Sequence, residues 1–174
     1  MNAPAETLTA VLSLGSNMGD SRALLGRALE DFPGRVLAVS RVWRTAPWGG
    51  VPQEDFLNVT ALVEFPGTPR QLLAACQELE RAAHRTRELR WGPRTLDVDI
   101  IDIVGVTSED PELMVPHPRA HLRAFVLRPW LDIDPHATLG GVAVAELVAN
   151  LGDDEENHAT PDTALGAGPQ EAQS

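Results

Sequence analysis

Asp97-Val98-Asp99 sets two carboxylates at period two. On a strand both would share one face, with Leu96, Val98 and Ile100 on the other. Two like charges this close are costly unless something neutralises them. A hard divalent ion such as Mg²⁺ does so, taking one or two carboxylates and filling its octahedron with phosphate oxygens and water. Asp-x-Asp by itself is a weak signal, and an edge strand with two solvated acids is the commoner reading of it. Its neighbours add weight to the metal reading: Arg85, Arg87, Arg90 and Arg94 precede it, with the stiff Trp91-Gly92-Pro93 between them. The planar fork of arginine donates two parallel hydrogen bonds to a phosphate. Acids for a metal, beside arginines for the charge the metal leaves uncovered, suit phosphoryl transfer, which needs positioning and electrostatics more than covalent help. The competing reading pairs Arg90 and Arg94 with the two acids as structural ion pairs.

Two further clusters carry chemistry. In Pro116-His117-Pro118-Arg119, followed by Arg123 and Phe125, rigid prolines flank a histidine that can donate to a phosphate or a leaving group. Thr45-Ala46-Pro47-Trp48 with Phe56 and Asn58 sets an aromatic ring beside an amide, a pairing that suits a flat heterocycle with a donor–acceptor edge. Taken alone, each cluster reads as well as ordinary packing: a satisfied histidine, an aromatic under a loop.

The elements that must position these groups follow from periodicity. Residues 8–14 read as a buried strand, and GSNMGD as a turn with Asp20 or Ser21 capping a helix through Leu24, Leu25, Ala28, Leu29 and Phe32. Residues 35–45 read as a second strand. Residues 56–65 alternate, with Leu57, Val59, Ala61, Val63 and Phe65 on one face and Phe56, Asn58, Thr60 and Glu64 on the other. Thr68-Pro69-Arg70-Gln71 has the cap, the first-turn proline and the capping-box amide of a helix start, and Leu72, Leu73, Cys76, Leu79 and Ala83 supply its stripe. Residues 95–105 give a fourth strand. The order βαββαβ predicts an α+β, ferredoxin-like four-stranded antiparallel sheet with two helices on one face. Beyond Gly105 the prolines predict loops and short elements, with 142–151 a last helix or strand. One domain over 1–151 is expected, followed by an acidic tail over 152–174 without fixed structure, because that stretch is poor in large apolar groups.

Composition limits the partners. The net charge of −11 disfavours nucleic acid, and all 14 basic residues are arginine, five of them between Arg81 and Arg94. An acidic protein with a local arginine cluster points to a small polyanion. No apolar run approaches the ~20 residues of a membrane span. The first ten residues lack the pattern of a secretory signal, and Cys76 stands alone. A cytoplasmic protein is expected, and a monomer, since no large apolar stripe is left unassigned.

LSLGSNMGD at 12–20, RTAPWGGVPQEDFLN at 44–58, RELRWGPRTLDVDI at 87–100 and VPHPRAHLRAFVLRPWLDIDP at 115–135 together resemble the 6-hydroxymethyl-7,8-dihydropterin pyrophosphokinase family, in order and spacing, from about Thr9 to Pro135. The resemblance implies a ferredoxin-like core and transfer of the β,γ-diphosphate of ATP to the pterin hydroxymethyl group, releasing AMP, with two Mg²⁺ ions on Asp97 and Asp99. It implies phosphate contacts from Arg85, Arg87, Arg94, His117 and Arg123, with Arg85 and Arg94 catalytic. Gln77, Glu80 and Ile100 match positions at the ATP site. Gly15, Thr45, Ala46, Trp48, Phe56, Asn58 and Phe125 match the pterin pocket, and Trp91 a loop residue that seals over both substrates. The chain departs from the family pattern at Ala46, Trp48, Phe56 and Asp102.

Overall fold

The computed structural model describes residues 6–17, 20–45, 55–88, 96–152 and 158–165, with side chains through Ala83 on the second helix. Strand β1 (Thr7–Ser16) leads into helix α1 (Ser21–Asp31), whose cap is Asp20: its carboxylate accepts from the Ala23 N–H at 3.3 Å. The stretch expected as one strand over 35–45 is two, β2 (Arg35–Val39) and β3 (Arg41–Thr45), interrupted at Ser40. The buried Ser40 hydroxyl accepts from the Thr60 N–H at 2.9 Å and donates to the Arg41 carbonyl at 2.7 Å, so a side chain stands in the ladder there. Strand β4 (Phe56–Pro66) follows, then helix α2 (Pro69–Glu88) and strand β5 (Leu96–Ile103). The capping box at the start of α2 is reciprocal: Thr68 N–H donates to Gln71 Oε1 at 2.8 Å, and Gln71 N–H to Thr68 Oγ1 at 3.2 Å.

β4 and β5 flank β1, both antiparallel to it, and β2 and β3 pair successively along the far side of β4. This is the ferredoxin-like order expected from βαββαβ. The predicted stripe of β4 is right in full: Leu57, Val59, Ala61, Val63 and Phe65 are all buried, packing with Leu8, Ala10, Leu12 and Leu14 of β1 against Leu25 and Ala28 of α1 and Leu72, Cys76 and Leu79 of α2.

The opposite face is covered too. After the hairpin β6 (Ser108–Asp110) and β7 (Leu113–Val115), a cis Val115–Pro116 bond and a 3-10 turn at Ala120–Leu122 lead into helix α3 (Ala124–Ile133). A short hairpin, β8 (Thr138–Leu139) and β9 (Val142–Ala143), precedes helix α4 (Val144–Ala149). Val126, Leu127 and Trp130 of α3 and Val144 of α4 form a second core with Val11 of β1 and Ile101 of β5. The short helices expected in this proline-rich stretch are present, and α3 carries Pro129 inside it.

A further expectation needs correction. The segment 152–174 is not structureless throughout: Ala159–Ala164 forms strand β10, which pairs antiparallel with β3 and becomes the edge of a six-stranded sheet. Main-chain pairing and arginine contacts hold it, which a reading based on missing apolar groups overlooks. β5 alternates as expected over residues 96–100, with Leu96, Val98 and Ile100 in the core, and breaks the rhythm just beyond. Its register against β1 shifts so that Leu12 faces Ile100 and Val11 faces Asp102. Ile101 is the extra residue of a β-bulge, sending its side chain into the second core while Ile100 stays in the first. Asp102, without explanation in the sequence, follows the bulge half-buried, and burial raises its carboxyl above the ordinary carboxylate value.

Candidate functional site

The candidate residues meet on the sheet face that α3 packs against, where Ser13, Thr45, Asn58 and Thr60 are buried. Along β1, β4 and β5 that face turns from apolar to polar in the same register. Val11 lies between Leu62 and Asp102; one step on, Ser13 lies between Thr60 and Asp99; one step further, Gly15 lies between Asn58 and Asp97. Two cross-strand rows therefore bring the acid pair and the candidate heterocycle residues onto one surface. Period two aligns the side chains, and the Cβ spacing of paired residues makes them neighbours.

Gly15 has a steric reason. A Cβ there would meet Asn58 Oδ1 at 2.8 Å, so the Asn58 amide lies directly across the glycine. Asn58 is buried, and its Nδ2 donates to Thr45 Oγ1 at 3.1 Å. Thr45 pairs across the ladder with the half-buried Phe56. Asn58 is thus fixed by a neighbour that occupies one donor and leaves its carbonyl and second N–H for another group. Thr60 Oγ1 donates to the Val126 carbonyl at 3.3 Å, fastening α3 over the adjoining row.

The acid side is charged and less satisfied. Asp97 is exposed and Asp99 half-buried, and among the described residues no guanidinium lies within salt-bridge distance of either. Burial and then the Asp99 charge hold the Asp97 carboxyl above its ordinary value. Glu80, on α2, accepts the Val98 N–H at 3.0 Å, closing one main-chain donor on the open edge of β5. Its own carboxyl is raised by burial and by Asp97 and Asp99, although the Val98 bond opposes this. Gln77, one turn earlier, is exposed. Cys76 lies on the core side of α2, where burial with Glu80 and Asp99 nearby pushes its thiol up to about 12.

His117 approaches the same end from the loop before α3. Its N–H donates to the Ile101 carbonyl at 2.8 Å, seating it beside β5, and its Nδ1 accepts from the Arg119 N–H at 3.1 Å. That second bond puts the proton of a neutral ring on Nε2. Burial and the neighbouring Arg123 lower the imidazole pKa, with Asp99 acting the other way. Arg123 is the N-cap residue of α3, with its guanidinium 5.5 Å from the centroid of the Phe125 ring. Asp99, His117 and Arg123 are thus electrostatic neighbours, as their separation in sequence does not reveal.

Ile100 behaves differently from the rest: its side chain is in the core under α1 and α2, opposite the acid face. Arg85 and Arg87 lie on α2, but their side chains, together with Ala46, Trp48, Trp91 and Arg94, are outside the described residues. Sequence reasoning passed over Ser13, which is buried between Thr60 and Asp99 in the ladder; its place two residues before Gly15 is the signal. It also passed over Asp132 on α3. That carboxylate accepts from the Arg41 N–H (3.2 Å), Arg41 Nε (3.2 Å) and Nη2 (2.9 Å), and Trp43 Nε1 (2.8 Å). Burial pushes its pKa up, but the Arg41 and Trp43 donors outweigh this and hold it below the ordinary value.

The family model for 7,8-dihydro-6-hydroxymethylpterin-pyrophosphokinase matches residues 11–135, which contain both cross-strand rows, His117, Arg123 and α3. The chain belongs to this family. Among similar pyrophosphokinases, the 2-amino-4-hydroxy-6-hydroxymethyldihydropteridine pyrophosphokinase of Mycobacterium tuberculosis (strain ATCC 25618 / H37Rv) is 46% identical over 139 residues, covering 74% of each chain. The enzyme of the same name from Methylorubrum extorquens is 43% identical over 146 residues, 82% of this chain and 92% of the relative. That of Bacillus subtilis is 39% identical over 128 residues, 71% and 77%. The fold is shared with Plasmodium falciparum HPPK-DHPS, at a TM-score of 0.62 and 15% identity over 82% of this chain. This pyrophosphokinase-family chain spans about two fifths of that protein's length (41%).

Proposed function

We propose that the chain transfers the β,γ-diphosphate of ATP to the hydroxymethyl group of 6-hydroxymethyl-7,8-dihydropterin, releasing AMP, as a pyrophosphokinase of folate biosynthesis. The observation that carries this reading is the pair of rows Asn58–Gly15–Asp97 and Thr60–Ser13–Asp99 on one sheet face, in a chain of this family. They set a flat-ring pocket one strand away from an acid pair. The pterin lies beside Gly15, whose absent Cβ makes room for the Asn58 amide, with its donor–acceptor edge on Asn58 and its rings against Phe56 and Phe125. Ala46 and Trp48 complete that pocket by their match to family positions.

The donor set fits magnesium: two carboxylate oxygens on one face, with no soft ligand and, among the described residues, no third group converging to close the coordination sphere. Asp97 and Asp99 would hold it, and we infer two ions. When bound, magnesium neutralises phosphate charge and lowers the cost of deprotonating the hydroxyl. Arg85, Arg87, Arg94 and Arg123 bind the phosphate oxygens, and Arg85 and Arg94 take up charge during transfer. The His117 Nε2–H donates to the phosphates, its tautomer set by the Arg119 N–H. Gln77, Glu80 and the β5 edge at Ile100 border the nucleotide, and Trp91 helps exclude water. The hydroxyl oxygen forms a bond to the β-phosphorus, the bond to the α,β-bridging oxygen breaks, AMP leaves with that electron pair, and the hydroxyl proton passes to solvent. We infer a monomer acting in the cytoplasm, consistent with the absence of any membrane-length apolar helix among the described residues.

The test is an HPLC assay of purified protein with ATP, Mg²⁺ and 6-hydroxymethyl-7,8-dihydropterin. AMP and the pterin diphosphate are expected to appear one for one and to stop with EDTA. ADP in place of AMP, or no pterin product, would overturn the reading.

A further inference from the structure

β3 is five residues long and meets β4 through three pairs only: Trp43 with Asn58, Arg44 with Leu57, and Thr45 with Phe56. It carries Thr45, which holds Asn58, and it leads straight into the segment that ends at Asp55. So short an edge strand is a weak anchor for a binding residue. Its other side is occupied by β10, with Ala159 opposite Thr45, Thr160 opposite Arg44 and Pro161 opposite Trp43. β10 lies beyond residues 11–135, so this partner is outside the part of the chain that the family model matches.

One carboxylate on β10 gathers the surroundings. Asp162 Oδ2 is 2.8 Å from Arg44 Nη2, and its Oδ1 is 3.3 Å from Arg22 Nη2 of α1. Arg22 also donates to Thr163 Oγ1 at 2.8 Å and to the Thr163 carbonyl at 3.3 Å. The Arg44 guanidinium in turn reaches Asp55, its Nη1 lying 3.9 Å from Oδ2. Asp162 therefore ties α1 to β3, and through Arg44 it is linked to the residue just before β4. Asp55 is reached by this brace through Arg44, and Thr45, next to Arg44 on β3, pairs with Ala159 of the same strand β10.

We propose that Asp162 is a positioning residue for the pterin half of the site, fixing β3 so that Thr45 holds the Asn58 amide in place. The inference rests on the pterin reading above. Asp162 touches no substrate; it acts through Arg44 and the strand that carries Thr45. Small displacements of a binding group lower affinity for the group it meets and leave distant contacts alone. The nucleotide side, on β5 and α2, lies across β4 and β1 from this brace.

The test uses the full chain with Asp162→Ala, Asp162→Arg and Asp162→Glu. Steady-state constants are measured for both substrates, pterin binding by fluorescence titration, and melting temperature in parallel. Loss of the carboxylate is expected to raise the pterin KM ~5-fold, and the repelling arginine ~20-fold, with kcat and the ATP KM within about twofold. Asp162→Glu should return the pterin constant toward that of the parent protein. An unchanged pterin constant in Asp162→Arg would overturn the proposal. So would a parallel loss of kcat and both KM values together with melting temperature, which would make β10 a stabilising strand only. If the parent protein itself binds no pterin, the functional reading fails, and this inference with it.

Discussion

On the β4 side of β1, Asn58 donates to Thr45, Thr60 to the Val126 carbonyl, and Trp43 and Arg41 converge on Asp132. On the β5 side, Asp97 and Asp99 stand on the same sheet face with Glu80 adding a third negative charge, and no described guanidinium offsets them at salt-bridge distance. One half is held in place by its own hydrogen bonds, with the Asn58 carbonyl and second N–H left over. In the other, burial and like charges raise the Asp97 and Glu80 carboxyls, and in the proposed function its balance comes from a bound metal and phosphate. A neutral heterocycle is best met by fixed dipoles that need no rearrangement, whereas a metal–polyphosphate brings its own charge and is best met by groups that repel one another without it.

The comparison breaks most sharply at Asp99. Asp99→Ala should lower kcat/KM by ~10³-fold or more while melting temperature holds, because a charge that only the bound state satisfies has been removed. HPLC of AMP and pterin diphosphate, with a thermal melt alongside, checks this. Next comes Gly15→Ala on the neutral half. The added methyl displaces the Asn58 amide, so pterin KM should rise ~10-fold, with a stability loss of about 1–3 kcal/mol from overpacking and a smaller change in the ATP constant. Fluorescence titration and urea unfolding separate the two effects.

Asp132 tests whether the neutral half is self-sufficient. Asp132→Ala strands the Trp43 indole N–H and should cost about 1–3 kcal/mol. The native carboxyl is held below its unfolded value of 3.8, so this stability is fully present above that pH and lost as pH falls through the lowered native value. Urea unfolding of parent and variant should therefore differ by a constant amount at neutral pH and converge in acid. The smallest effect is expected from Asp97→Asn in metal-free protein, where relief of repulsion should raise the melting temperature by ~1–2 °C. Added Mg²⁺ should stabilise the parent protein and not the variant. A variant that responded to magnesium equally would move the metal away from this pair.

The periods of α1, β4 and α2 were legible because each has one clear apolar stripe. β2 has no buried residue, and its break from β3 at Ser40 was not legible. Short helices were expected after Gly105, but the span of α3 was not legible, because Pro129 sits in its interior and prolines crowd the approach to it. β10 was not, because its strand is held by ladder hydrogen bonds and by Arg22 and Arg44, which leave no apolar trace. At the site, the acid pair, His117 and Asn58 were readable as motifs. Their meeting on adjoining rows depends on the registers of β1 with β4 and β5, which no single segment encodes.

The bulge at Ile101 divides β5 into two frames. Before it, odd positions carry the acids and even positions the core; after it, the parity is reversed, with Ile103 back among the core side chains. One inserted residue thus lets a single strand answer two demands that a strict two-residue rhythm would set against each other. The chemical half can change side chains without shifting the packing half out of phase. Deleting Ile101 would leave Ile100 opposite Leu12 and Asp102 opposite Val11, so the two frames would merge into one rhythm and the second core would lose its isoleucine.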